Sequence, residues 1–435
     1  MDPYINNQAA SGNKPEFTGK KLVLLHPDAS FKDIDNEAAG ASLRLAPSGD
    51  YKSKEGDYAK AFDEGDGIVF EKFNVAVVNA DHDDQVNNLM AARQSFQYTE
   101  PERFVYALDA PSQSNFGMLL WNFICQIFGI KRPEKAPKDP KEIVPPAFEN
   151  DAAAYWAIHA LGALQSQNKG KGVHVAILDT GMNLEHPDFQ NREVIAQSFI
   201  TGEAVDDFNG HGTHCAGIAA GGISSATGIR YGAASEAVLY AGKVLSNKGV
   251  GSDSGILAGM EWAVNNGCKV ISMSLGASVG ENARYSNIYN DLAKKSMDLG
   301  TLIIAAAGND SERSHDTIKP VNHPGNCPNI MAVGALDKNS AIANFSCGGL
   351  NPDGGSVDIA GPGVAIYSSW KKPQEYAVIS GTSMATPYVA GVAAMLFEAF
   401  PEASARDIWE KLTGGARNVG LPARDAGSGL VQAPQ

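Results

Sequence analysis

At 435 residues the chain is too long for one average domain, and a content of 43% hydrophobic and 19% charged residues excludes a disordered polymer. Lys and Arg total 35 against 49 Asp and Glu; the net charge of -14 repels polyphosphate and excludes nucleic acid as a partner. Residues 1–19 are polar and read as a disordered N-terminus. They contain no apolar core of a secretory signal, which points to the cytoplasm, or to the exterior if a leader has been removed. Residues 20–110 read as a small α+β unit. Leu22 to Leu25 is a short strand, Gly67 to Asn79 a strand pair or one long strand, and Phe104 to Leu108 another strand. Asp84 to Arg93 carries Val86, Leu89 and Met90 at helical spacing behind an acidic first turn.

Residues 111–150 change character. Phe116, Leu119, Leu120, Phe123, Ile124, Ile127 and Phe128 share one helical face, which suits packing on a protein body or on a membrane surface; its polar side lacks the Lys and Arg of a membrane binder. Lys131 to Pro146 is a Pro- and Lys-rich linker. No stretch reaches the length of about 20 apolar residues that a transmembrane segment needs.

From residue 151 to 435, apolar runs alternate with helical patterns. Val173 to Leu178, Val238 to Val244, Val270 to Met273, Leu302 to Ala307 and Ile330 to Val333 read as strands; Ser254 to Asn265 and Asn290 to Leu299 read as helices. This alternation specifies an α/β fold around a parallel sheet, with active residues beyond the carboxyl ends of its strands. Cys125, Cys215, Cys268, Cys327 and Cys347 are odd in number and without CxxC spacing, against a zinc site or a complete disulfide framework.

Three segments present a nucleophile, a base and an orienting acid. Asp179 closes the strand run in Ala176-Ile-Leu-Asp-Thr-Gly181. His211 lies between Gly210 and Gly212, small neighbours that let a base approach a substrate backbone. Ser383, in Ser380-Gly-Thr-Ser-Met-Ala-Thr-Pro387, opens an apolar helix whose free amides can hold an oxyanion. Asn309 follows another strand and can donate its amide to the same charge. Each segment alone reads equally well as a turn or cap residue, and His211 with His214 as a metal pair lacks the glutamate of an HExxH motif.

Together, in the order Asp, His, Asn, Ser, the motifs DTG, HGTHCAG, SLG, AAAGN and GTSMATP resemble the subtilases, relatives of subtilisin and proteinase K, over roughly residues 156–412. The resemblance implies a subtilisin-like three-layer α/β fold with a mostly parallel central sheet, preceded by a small α+β, ferredoxin-like inhibitory prodomain over 20–110. It implies a serine endopeptidase acting through an acyl-enzyme, made as a self-inhibited zymogen that processes itself; a dedicated intracellular processing protease with few protein substrates is the alternative. Partners would be protein or peptide substrates and the chain's own prodomain, on a monomer. Gly249, Val250, Gly251, Ser274, Leu275 and Gly276 would be edges pairing with a substrate strand. Gly308, Asn322 and Asp310 would lie near the first specificity pocket, with broad preference and some tolerance of basic side chains. Cys215 would be a structural thiol, and His323-Pro324 matches a cis-proline position. Cleavage chemistry needs no cofactor; structural calcium is expected at Asp358 and, against a companion loop at 221–232 without Asn-rich ligands, at Asp188.

Overall fold

The computed structural model describes residues 16–51, 65–92, 94–108 and 147–435. Residues 1–15, the apolar segment 116–130 and its linker, about which the sequence raises expectations, lie outside the described residues.

The N-terminal unit opens with β1 (Phe17–Leu25), so pairing starts inside the stretch expected to be disordered. The reason is a neighbour: Phe104 donates its amide to the Glu16 carbonyl and Thr18 bonds the Glu102 carboxylate. Next come α1 (Phe31–Gly40), β2 (Leu45–Pro47), β3 (Gly67–Phe70), β4 (Val75–Val78), α2 (Asp83–Ala92) and β5 (Phe96–Ala107). The Gly67 to Asn79 run is thus a hairpin, β3 antiparallel to β4. Helix α1 has a local start signal, a capping box in which Ser30 and Asp33 satisfy each other's backbone amides. The strands lie in the order β5-β1-β4-β3-β2, with β1 antiparallel to both β4 and β5.

In the second unit, the elements are β6 (His174–Asp179), β7 (Val194–Ser198), α3 (His211–Ala220), β8 (Val238–Lys243), β9 (Val250–Ser252), α4 (Asp253–Asn265), β10 (Val270–Met273), β11 (Leu275–Gly276), α5 (Asn287–Asp298), β12 (Leu302–Ala306), β13 (Met331–Leu336), β14 (Ile359–Pro362), β15 (Ile366–Ser369), β16 (Tyr376–Ile379), α6 (Thr382–Ala399) and α7 (Ala405–Gly414). Seven strands form one sheet in the order β14-β13-β12-β10-β6-β8-β7, every pair parallel. Four of the five strands predicted here match observed strands to within one residue at each end, and the fifth, Ile330 to Val333, stops three residues short of the end of β13; β7, β14 and the hairpin β15–β16 have no counterpart among them.

Alternate residues point to opposite faces of a strand. Val175 and Ile177 therefore enter one core with α3 and α6, while Ala176 and Leu178 enter the other with α4 and α5. With both faces covered, the strands have no polar side, which is why they read as continuous apolar runs. Helix α6 is buried from Thr382 to Phe397, and its sequence is correspondingly apolar all round.

Strand β5 joins the two units. Its first half pairs with β1; its last residues pair antiparallel with β9, Val105 opposite Gly251, and with β11, Ala107 opposite Leu275. Two of its carboxylates meet helix N-termini of the second unit, where unpaired amides and the helix dipole favour negative charge. Glu102 accepts from the Ser254 amide (2.9 Å) at the start of α4, and Glu100 from the Asn287 amide (2.8 Å) and the Ser286 hydroxyl at the start of α5.

Candidate active site

Asp179 ends the parallel strand β6, Asn309 follows the parallel strand β12 and His211 opens the helix after β7, while Ser383 lies on the helix that follows the antiparallel hairpin β15–β16. β6 ends on Asp179, whose Oδ1 lies 2.7 Å from His211 Nδ1 and accepts from the Thr180 amide at 2.7 Å. Both side chains are buried. A carboxylate on Nδ1 fixes the imidazole with Nε2 turned away from it, the orientation a base needs.

His211 is the first residue of α3, and the N-cap, Gly210, offers no side chain. Asp207 does the capping. Its Oδ1 accepts from the Gly210 amide and the Thr180 hydroxyl, and its Oδ2 from the Thr213 amide and hydroxyl, all at 2.7–2.9 Å. This buried carboxylate ties the turn after Asp179 to the helix bearing His211. The sequence reading missed it, although an acid just ahead of a helix start is a recognised signal.

The glycines beside His211 serve packing inside the protein, which corrects the sequence reading. A Cβ on Gly210, at φ +105°, would fall 2.5 Å from the Trp370 ring, and one on Gly212 would fall 2.3 Å from the Gly181 carbonyl oxygen. They let α3 close on the Asp179 turn; substrate approach is not what they leave room for.

His214 points elsewhere. Its Nε2 lies 3.1 Å from the Ile366 carbonyl oxygen and its ring stands edge-on to Trp370. Burial, then the charge of His211, pushes its pKa down to about 3, so it is a neutral donor at physiological pH.

Asp179, His211 and Cys215 bring ligand-type atoms within 4.8 Å of one another. Their chemistry does not suit a metal. Burial pushes the Cys215 thiol up to about 11, its Sγ donates toward the Ser383 carbonyl at 3.5 Å, and the Asp179 oxygen is already bonded to the imidazole.

Ser383 lies in the first turn of α6 and is fully buried. Its Oγ donates to the Leu108 carbonyl oxygen at 2.6 Å, and Asn309 Nδ2 donates to that same oxygen at 2.5 Å. The Asn309 amide has a fixed sense: its Oδ1 accepts from the Thr382 amide and hydroxyl at 2.9 and 2.8 Å, leaving the NH2 group to face Leu108. Four residues past Ser383 stands Pro387, which has no N–H to return to the Ser383 carbonyl. That carbonyl instead accepts from Ser274 Oγ at 2.8 Å and from Cys215, pinning the serine's backbone to two other elements.

The expected substrate edges hold the end of β5. The Ala107 amide donates to the Gly249 carbonyl at 2.9 Å and the Leu108 amide to the Ser274 carbonyl at 3.3 Å, while Tyr106 lies opposite Val250 and Gly276. Leu108 extends beside Gly276, where an added Cβ would come within 3.2 Å of its Cδ1 and 3.4 Å of Asn322 Cβ. Gly308, at φ +113°, admits Asn322, whose Nδ2 donates to Asp310 at 2.8 Å. His323-Pro324 is a cis peptide.

The two carboxylates expected to hold calcium differ. Asp358 receives the Ala332 amide at 2.7 Å, and burial pushes its pKa up to about 7. A carboxylate held this reluctantly charged fits a cation beside it. Asp188 does not fit: its oxygens accept from the Ser225 amide, the Tyr376 hydroxyl and the Tyr231 hydroxyl at 2.8–2.9 Å.

A profile of the subtilase family matches residues 170–429. The chain is 40% identical to Subtilisin Savinase of Lederbergia lenta over 282 residues, 64% of this chain and 96% of the relative. It is 39% identical to Subtilisin DY of Bacillus licheniformis over 254 residues, 58% of this chain and 86% of the relative. With a thermostable alkaline protease of Halalkalibacterium halodurans it shares 36% identity over 313 residues, 70% and 80% of the two chains.

Proposed function

The chain belongs to the subtilase family and is a subtilisin-like serine endopeptidase; from that premise we propose that Ser383, His211 and Asp179 are its triad and that residues 20–110 are an inhibitory prodomain which the enzyme cuts after Leu108. Ser383 Oγ bonds to the peptide carbonyl carbon as its proton passes to His211 Nε2. Asp179 holds the imidazole and stabilises its charge, and Asn309 Nδ2 with the Ser383 amide takes the negative charge on the carbonyl oxygen. Return of the proton to the leaving nitrogen breaks the C–N bond and leaves an acyl-serine, which water hydrolyses by the same steps in reverse.

The observation that carries this reading is the double donation to one oxygen. The Leu108 carbonyl accepts from the nucleophile and from Asn309 together, and the residues before it lie between the two edges as an added strand. A substrate would take that place, so the same contacts account for inhibition and self-cleavage. Leu108 also supports an apolar residue before the cut bond. No cofactor enters these steps. A structural calcium ion, where bound, would offset the charge of Asp358.

The test is the Ser383→Ala chain on a fluorogenic peptide panel with a serine-directed fluorophosphonate. Loss of hydrolysis and of labelling is expected, with the chain remaining full length. Turnover equal to wild type ends the triad assignment.

A further inference from the structure

We propose that Asp188 is the anion of a metal-free clamp, closed by the hydroxyls of Tyr231 and Tyr376 and the Ser225 amide, that anchors the far end of the helix bearing His211 without a cation. An ionised carboxylate accepts about four hydrogen bonds. Three donors already converge on this one: Ser225 N (2.9 Å) and Tyr376 OH (2.9 Å) on Oδ1, and Tyr231 OH (2.8 Å) on Oδ2. Calcium takes about six to eight oxygen ligands at close range. To enter here it would have to turn three donors away from the oxygens they hold.

Tyr231 cannot yield. It is fully buried, and its ring lies against α3 and the turn that follows: Cβ atoms on Gly217 and Gly221 would come within 3.0 and 2.7 Å of it. Tyr367 meets it edge-on at 5.9 Å. Tyr376 is held too, stacked on Tyr367 at 5.3 Å, with Tyr155 on the other face of Tyr367 at 4.4 Å. The loop between the two donors closes on itself and on this stack. The Ser224 amide donates to the Ile229 carbonyl at 3.0 Å, across a turn closed by an antiparallel bridge between Ile223 and Arg230; the Ser224 hydroxyl lies 2.9 Å from Tyr367 OH, and that of Ser225 lies 2.7 Å from Tyr376 OH. Charge-assisted hydrogen bonds to one anion thus join the turn beyond β6, the loop after α3 and the strand that leads to Ser383.

The experiment uses the full chain carrying Ser383→Ala, so that self-digestion does not intervene. Thermal unfolding is followed in EGTA and in millimolar calcium, with and without Asp188→Asn. The calcium-induced shift in Tm, whatever its size, is expected to be equal in the two chains; a shift abolished by Asp188→Asn overturns the clamp. Tyr376→Phe, which removes one hydroxyl and keeps the stack, is expected to lower Tm by about 5 °C in EGTA and calcium alike; an unchanged Tm also overturns it. Should Asp188→Asn not fold, terbium decides. In the Ser383→Ala, Asp358→Asn chain, an ion at Asp188 would be excited through the adjoining tyrosines. Emission at background supports the clamp, and emission that calcium displaces refutes it.

Discussion

Replacing Leu108 by Ala tests the proposed processing bond through its size. The leucine side chain is 9% exposed, packed beside Gly276 with its carbonyl under Ser383 and Asn309. The substitution deletes three carbons and leaves the backbone pairing of β5 untouched. At about 0.8 kcal/mol per buried methylene the loss is about 2.4 kcal/mol, or roughly 50-fold in a rate that depends on seating that residue. Denatured full-length chain is diluted into folding buffer, quenched at intervals, and followed by intact mass and N-terminal sequencing. Wild type should yield a new terminus at Asp109 in a first-order process independent of chain concentration, and Leu108→Ala the same terminus roughly 50-fold more slowly. Wild-type cleavage at another bond, or equal rates in the two chains, would refute the reasoning.

Asn309→Ala is expected to lower kcat by about 10²- to 10³-fold with little change in KM, the size established for subtilisin's own oxyanion donor; steady-state kinetics on the processed enzyme check it, and a fall in KM-dependent terms alone would move Asn309 out of the oxyanion site. Asp358→Asn should act on stability with a pH signature. Burial raises the carboxyl from 3.8 to about 7, so the folded state holds the proton more tightly than the unfolded chain, and stability present below pH 3.8 is lost as pH rises toward 7. In EGTA, on the Ser383→Ala chain, the Tm of Asp358→Asn relative to Asp358 should therefore climb between pH 5 and pH 8; a constant gap would remove the linkage.

The parallel sheet was legible because covering both of its faces leaves apolar runs such as Val173 to Leu178, and helix α6 because nothing polar interrupts Tyr388 to Phe397. The site segments were legible for a related reason: Asp179 and Asn309 end such runs, and Ser383 begins one. Strand β5 was read as only its last residues because Glu100, Glu102 and Arg103 break the pattern. Their purpose lies in the other unit, where the two glutamates cap α4 and α5 and the Arg103 amide meets Asp253 at 2.9 Å. Asp188 read as a cation ligand because its true partners are remote, Tyr231 lying 43 and Tyr376 188 positions along the chain. Strand β7 escaped for lack of contrast, since only Ser198 of its five residues is buried. Leu108 carries no local signal at all; its role appears only where the Gly249 and Ser274 carbonyls receive the chain.

Pro387 gives the position of the proposed nucleophile an unusual dependence on a missing atom. In an uninterrupted helix the backbone oxygen of Ser383 would also be claimed from within, and the hydroxyl of Ser274 would share it with a helical amide. Any other residue at 387 restores a competitor for that oxygen, so even a substitution as mild as alanine can draw the serine along the helix axis and change its reach while every side chain of the relay stays in place.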